Sequence, residues 1–483
     1  MKLNRTTTAI ATLFLWTTVH AATITVSNTN DNGGGSLRAA LAVAAGGDTI
    51  DATGISGTIT LTGGQLVVAT GLTILGPGPA SLAINGNSTS RVFHVANAVN
   101  ALMVGLSITN GAVSGSFPGN EGGGIWNDHS VLTLSNCSVT GNSGGNGTGG
   151  GIYSDGSSGY AQLSILASTV SGNTGWGGAG IYNYAYHGTS YVSVIACTIS
   201  GNTASGPGVV GGGVWNDGNS GFASLAISLS TFSGNSAPQS GGGIYNGGAF
   251  GNAGLSLFDS TFNGNSASNG GAIFNTGNGG TATVSIADTI LKTGVLGANI
   301  LNNVGTVTSG GYNLSSDNGG GVLTKATDQL NTDPLLGPLA NNGGPTLTCA
   351  PLPGSPALDR GKSFGLTTDQ RGFPRTVDDP CIANASGGDG SDIGALETQT
   401  ACVNLQITAI TRETNNIRIT WTTYAGKTNA LQRTAGAPDG SYQTNAFTDI
   451  FTATNTVGTT TNYLDVGGAT NKPARYYRVR LVP

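Results

Sequence analysis

The sequence predicts an all-β chain: a parallel β-helix, a solenoid of stacked coils, with an N-terminal helical cap and a small β-sandwich behind it. Three observations carry this. A glycine-led motif recurs six times at intervals near thirty residues. Apolar residues inside each copy alternate with polar ones. Charge is scarce, with DEKR at 8% of 483 residues, against about 25% in typical soluble domains. Gly 82 is more than twice the usual share of ~7%, without a Gly-X-Y period. Ser, Thr, Asn and Gly take the wet faces that charged residues cover in helical proteins, which favours strands and polar turns.

The copies begin at Gly122, Gly149, Gly177, Gly211, Gly241 and Gly270. Their aliphatic anchors, Ile125, Ile152, Ile181, Val214, Ile244 and Ile273, are spaced 27, 29, 33, 30 and 29 apart. Such a period signals stacked units that bury a common core. Behind each anchor lie period-2 apolar positions: Leu132, Leu134 and Val139; Leu163, Ile165 and Val170; Val192, Val194 and Ile199; Leu225, Ile227 and Phe232; Leu255, Leu257 and Phe262. These read as short half-buried strands. A unit of this length makes one coil of three strands, and coils stack at the strand spacing of about 4.8 Å. Gly-Asn pairs such as Gly172-Asn173 mark turns, since both residues tolerate left-handed dihedrals. Looser copies from Gly57, Gly71 and Ala101 extend the solenoid to about nine or ten coils over residues 50–310.

The segment Ser36–Ala45 reads as the one helix, with Ser36 as its N-cap and Gly46-Gly47 as its stop. Lying over the first coil, it would cover unpaired strand edges. Residues 1–21 form a targeting segment: Lys2 and Arg5, then an apolar stretch Ala9–Val19, then the small-residue site before Ala22. The expectation is a secreted, extracellular or cell-surface protein, a monomer, with no membrane span.

Charge divides unevenly. Residues 22–400 hold 8 Lys+Arg and 19 Asp+Glu, net −11; residues 401–483 hold 8 and 4, net +4. No Lys or Arg lies between Arg91 and Lys292, which excludes a nucleic-acid surface there. The basic tail reads as solvated surface charge. Of five cysteines, Cys137 and Cys197 share one slot two copies apart, with Ser168 between them. That separation, about 10 Å, exceeds the ~7 Å reach of a disulfide, so both are expected reduced. Any bridge is expected among Cys349, Cys381 and Cys402.

At this point the residues resemble a known group. "GGGSLRAALAVAAGGDTI" (Gly33–Ile50), followed by GGGI-type coils, is similar to exported bacterial right-handed parallel β-helix proteins of the pectate-lyase-like superfamily. The "GG-I-aromatic-N" motif resembles repeats of polymorphic outer-membrane proteins. "GYNLSSD" (Gly311–Asp317), "TDPLLGPLANNGGPTLT" (Thr332–Thr348), "LPGSPALDRG" (Leu352–Gly361), "TTDQRGFPR" (Thr367–Arg375) and "SDIGALE" (Ser391–Glu397) resemble the choice-of-anchor Q domain. Members of that group usually carry a surface anchor behind it; here Tyr476–Pro483 is no apolar anchor, and the resemblance does not extend to attachment. Residues 403–483 alternate in "IRITWTT", "NALQRT", "NYLDV" and "ARYYRVRLV", an antiparallel sandwich pattern. They resemble a fibronectin-type-III-like module with Trp421 and Tyr477 in its core. The expected organisation is residues 22–300 as the right-handed β-helix, 301–400 as its distal anchor-type region and 403–483 as the sandwich.

Four constellations bear on function. Trp126, Tyr153, Tyr182, Trp215, Tyr245 and Phe274 follow the anchor in all six copies. Alternation sends them outward, where a row of rings would stack on sugars; the competing reading packs them under loops. Asp128, Asp155 and Asp217 share the next outward slot. Asp128 and Asp155 on adjacent coils would lie ~5 Å apart, the separation of a retaining glycosidase pair, or would bind calcium beside His129; turn chemistry is the plain reading. Arg91, His94 and His187 read as surface or packing residues, which leaves a lyase without its basic residue. Asp369, Arg371, Asp392 and Glu397 read as ties of irregular turns, with Asp389 and Asp392 as a candidate calcium site. The leading expectation is a non-catalytic extracellular protein in adhesion or glycan binding; the alternative is a polysaccharide hydrolase or lyase using Asp128 and Asp155.

Overall fold

The computed structural model describes residues 21–117, 119–379, 382–399, 405–423, 428–454, 460–470 and 474–482. They fall into two compact units, residues 1–376 with 384–398, and residues 377–383 with 399–483.

The first unit is a parallel β-solenoid of about ten turns. One coil shows the plan: strands Ile125–Asp128, Val131–Ser135 and Ser138–Thr140 each pair in parallel with the strand one repeat away. Repetition gives a first sheet of eleven strands containing Val131–Ser135, a second of ten containing Ser138–Thr140, and a third of nine containing Ile125–Asp128. The anchors fall in one register row, Ile125, Ile152, Ile181, Val214, Ile244, Ile273 and Ile300, and all are fully buried. The alternating pairs align likewise, Leu132 with Leu163, Val192, Leu225 and Leu255. No single coil buries its apolar face alone, so each is stabilised by its neighbours.

The Gly-Asn turns differ from expectation in one respect. Gly141, Gly172, Gly201, Gly234 and Gly264 take the left-handed conformation, but the asparagine after each does not. Instead Asn142, Asn173, Asn202, Asn235 and Asn265 turn inward and are buried. Each Nδ2 donates to the Oδ1 of the next asparagine, at 3.0, 2.9, 2.9 and 2.8 Å along the row. Each also donates to a strand carbonyl of the coil before, as Asn202 does to Val170 at 3.0 Å. Every buried amide is thereby used. A second interior row, Asn183, Asn216, Asn246, Asn275 and Asn302, carries the same amide-to-amide chain in the third sheet, with only the Asn183 Oδ1 at its start left unpartnered among these side chains.

Cys137 and Cys197 are free and buried. Cys137 N donates to Ser168 Oγ at 2.9 Å and Ser168 N to Cys197 Sγ at 3.4 Å, so the three share one ladder as expected. Cys349 is also a free, buried thiol; it accepts from Asn263 Nδ2 at 3.4 Å, so of the three candidates for a bridge it is one that remains unbridged. Cys381 and Cys402 lie outside the described residues.

The helix spans Leu37–Val43, capped by Ser36, whose Oγ accepts from Ala39 N. It ends at Ala44, earlier than the Gly46-Gly47 stop. Leu37 and Ala40 join the solenoid core, and Arg38 reaches Asp31 and the carbonyls of Gly64 and Gln65.

Residues beyond the last coils run back along the solenoid. Thr198, Thr231, Thr261 and Ile290 form one register row of the second sheet, and a strap of irregular chain lies on it. Gln370 bonds Cys197 O, Thr198 Oγ1 and Thr231 Oγ1; Thr346 bonds Ala196 O; Ala395 N bonds Thr261 Oγ1. Arg375, fully buried, pairs with Asp259 and Asp288 on adjacent coils. Asp369, Arg371, Asp392 and Glu397 do tie the turns: Asp369 Oδ2 accepts Arg371 Nε at 2.8 Å and Glu397 N at 3.1 Å, and Glu397 Oε2 accepts Asp392 N at 2.9 Å.

The second unit holds two antiparallel three-stranded sheets. One is Ile407–Glu413, Asn416–Thr422 and Thr460–Asp465; the other is Thr448–Ala453, Thr428–Ala435 and Arg475–Val482. Ile419, Trp421, Leu431 and Ala453 form its core, with Tyr477 packed against them. Strands Ile407–Glu413 and Thr448–Ala453 were not among the four segments singled out in the sequence.

Candidate functional site

The strand sequence anchor-aromatic-Asn-Asp fixes the site. Alternation puts the anchor and asparagine inside and the ring and acid outside. The register row Trp126, Tyr153, Tyr182, Trp215, Tyr245 and Phe274 exists. Its rings are not an open row: Tyr153 and Tyr182 are buried, and the other four are half-buried. Glycine-rich segments between the second and third sheets pack onto the rings. A Cβ on Gly177 would stand 2.9 Å from the ring of Trp215. From Tyr153 onward the rings touch in sequence, with centroids 5.3, 4.6, 5.8 and 5.3 Å apart.

Trp126 instead faces the previous coil. It stacks on His94 at 4.4 Å and 9°, and the Arg91 guanidinium lies 4.9 Å from its ring centre. Arg91 is buried, donating to the carbonyls of Gly119, Glu121 and Gly122 and to Gln65 Oε1. Burial draws its pKa down to about 10, against the charges of Glu121 and Asp128. Arg91 and His94 are packing residues, in line with the expectation, and His94 occupies the same slot as Trp126. The signal was "RVFHVAN", a coil copy without its glycine lead.

Asp128 and Asp155 are register neighbours, and Tyr184 separates Asp155 from Asp217. Asp128 accepts from His94 Nε2 at 3.1 Å and bonds His129 Nδ1 at 2.6 Å. Burial opposes its charge, but both imidazoles outweigh that and hold its carboxyl below the usual range. His129, in the left-handed conformation, also places Nε2 2.6 Å from Ser157 O. Both ring nitrogens face acceptors, which a ring with two N–H groups satisfies. Burial disfavours that cation, yet the bonds to Asp128 and Ser157 O and the charge of Asp155 raise the His129 pKa.

Asp155 is buried and accepts Ser157 N at 3.0 Å. Asp217, also buried, accepts Tyr182 Oη at 2.7 Å and Asn219 N at 3.0 Å. Burial pushes its carboxyl up against those bonds. Glu121 is buried beneath Arg91; Thr148 donates to it from N at 2.7 Å and from Oγ1. Burial again raises the carboxyl.

Asp128, His129 and Asp155 are the one group of metal-ligand spacing among the described residues, one ligand atom each within 4.8 Å. The arrangement suits a proton better than calcium. Calcium takes six to eight oxygens, and here a doubly bonded imidazole stands between the carboxylates. Asp389 and Asp392 are placed apart from it: Asp389 accepts from Ser363 and Ser391, and Asp392 from Asp359 N and Thr398 N. His187 lies beside Tyr186, ring centroids 4.1 Å apart and tilted by 54°. Among the described residues no helix is long and apolar enough to cross a membrane.

No family model matches the sequence, and no match is found among the curated proteins.

Proposed function

We propose that this chain is an exported, right-handed parallel β-helix protein that binds a glycan or adheres through one, without cleaving it. The basic and apolar run over residues 2–19 supports export, and the Gly33–Ile50 and GGGI motifs support the handedness and the helical cap. The observation that carries the non-catalytic reading is the state of the acids. Asp128 is held between two imidazoles, and Asp155, Asp217 and Glu121 are buried and bonded. Acid–base catalysis needs a carboxyl in reach of substrate; these are spent on the fold.

The enzymatic alternative rests on the adjacency of Asp128 and Asp155. Incubation of the full-length protein with pectins, alginates, glycosaminoglycans and neutral glucans separates the two. Retention without new reducing ends or unsaturated products, unchanged by EDTA, is expected. Product formation abolished by Asp128→Ala establishes the enzyme instead. The half-open rings of Trp126 and Trp215 are the first contact candidates on the third sheet, tested by Trp126→Ala and Trp215→Ala.

A further inference from the structure

Three open rings of the solenoid lie together on the first sheet. Tyr160, Tyr191 and Phe222 stand on three consecutive coils and are 44%, 40% and 41% exposed. Tyr160 and Phe222 share a register row through Thr189, while Tyr191 lies opposite Gln162 and Ser224, two residues further along. Their centroids are 5.9 and 5.8 Å apart, tilted by 49° and 53°. The result is a zigzag with one ring per coil, running along the stack.

Hydrogen-bonding groups flank the rings in a set pattern. Tyr160 Oη donates to Gln162 Oε1 at 2.7 Å, which turns the Gln162 amide nitrogen to solvent. Thr281 Oγ1 donates to Asn252 Oδ1, and Asn252 follows Phe222 in the same row. Neither amide nitrogen has a protein partner among the described residues. Each is a fixed donor beside a ring.

The face carries no charge. None of the six strands Val131–Ser135, Tyr160–Leu166, Thr189–Ile195, Phe222–Ser228, Asn252–Phe258 and Thr281–Ala287 contains Asp, Glu, Lys, Arg or His. A uronate or sulfate would lose its hydration and meet no cation on these strands. A neutral sugar chain is matched: its C–H faces lie on apolar ring faces, two of which, Tyr160 and Tyr191, also carry a polar tip, and its hydroxyls accept from the amides.

We infer that Tyr160, Tyr191 and Phe222, with Gln162 and Asn252, form the binding track for an extended, uncharged polysaccharide lying along the solenoid. This rests on the glycan-binding reading and names its site and ligand class. The sequence row Trp126 to Phe274 belongs to a different sheet, so the two surfaces are separable by mutation.

The test is calorimetry of the full-length protein with soluble xyloglucan, mixed-linkage glucan and glucomannan, against polygalacturonate and alginate. The wild type binds a neutral polymer. Tyr191→Ser weakens it ~10-fold and the Tyr160→Ser/Tyr191→Ser/Phe222→Ser triple abolishes it. Gln162→Ala, which removes no ring, weakens binding less and keeps the result independent of the triple's folding. A triple variant that retains wild-type affinity, with loss on Trp215→Ala instead, overturns the track and leaves glycan binding standing. Binding to acidic polymers alone overturns the ligand class. Self-association removed by the triple, without polysaccharide binding, assigns the face to a second copy. Retention of no polysaccharide by the wild type overturns both readings.

Discussion

Arg375 and Asp259 meet in full burial, nitrogen to carboxylate oxygen 2.9 Å apart, and Asp288 of the next coil closes the group. Two carboxyls and one guanidinium leave one acid too many for a dry site. Burial raises Asp259 to about 6, with Arg375 and the bond from Asp288 opposing. Burial raises Asp288 well above its ordinary value, against Arg375. The pair therefore keeps a proton that the unfolded chain gives up. That stability is present below the unfolded carboxylate pKa and is lost as pH rises through about 6 and beyond. Melting temperature is expected to fall from pH 5 to pH 8, and Asp288→Asn to flatten the fall. Arg375→Leu, which strands both acids, is expected to cost about 3–5 kcal/mol at neutral pH.

The asparagine row gives a second prediction. Asn202 donates to Val170 O and Asn235 Oδ1 and accepts from Asn173 N and Nδ2. Asn202→Ala removes the bonds to Val170 O and Asn173 N outright, while Asn235 Oδ1 keeps the Asn202 backbone N–H and Asn173 Nδ2 keeps Val139 O; buried groups without partners cost about 1–3 kcal/mol each. Stability from denaturant unfolding is expected to drop by at least ~2 kcal/mol. Asn202→Asp, an acceptor with no donors when ionised, is expected to be worse at pH 7 and to recover partly in acid.

Two buried tyrosines separate ring from hydroxyl. Tyr182 Oη bonds the buried Asp217 at 2.7 Å, whereas the Tyr153 hydroxyl has no hydrogen-bond partner among the described residues. Tyr182→Phe is expected to destabilise by about 1.5–3 kcal/mol, as for a bond to a charged group, and Tyr153→Phe to be nearly neutral. Tyr153→Ala is expected to cost about 3–5 kcal/mol through the cavity it leaves. Chemical denaturation of the three variants reads the difference.

The thiols are shielded. Burial raises Cys137 and Cys349, and takes Cys197 to about 12. With Cys381→Ser and Cys402→Ser in place, Ellman's reagent is expected to find no reactive thiol in the native protein and three after denaturation.

The coil plan was legible because the anchors Ile125 to Ile273 and the pairs such as Leu163 and Ile165 repeat on a period that only stacking satisfies. The burial of Tyr153 and Tyr182 was one of two readings and periodicity could not choose it, since it depends on glycines such as Gly149 and Gly178, where an added Cβ would stand 2.9 Å from the Cβ of Tyr153 and of Tyr182 respectively. The slot His94 shares with Trp126 was missed because its coil lacks the triple-glycine lead that marked the others. The open rings escaped notice because Tyr160, Tyr191 and Phe222 occupy two alternating slots of a strand, so no single column of the repeat contains them. The strap was illegible: Gln370 reaches Thr231 and Arg375 reaches Asp259 by irregular chain, which leaves no periodic trace.

A pile of coils held only by nearest neighbours frays from its ends, one layer at a time. Here four layers, those of Thr198, Thr231, Thr261 and Ile290, are stitched lengthwise by the same returning chain. The outermost of them cannot leave while the other three hold the thread. Pulled from both termini, the molecule should yield in small increments before Ile125 and in a single large rip across the stitched block.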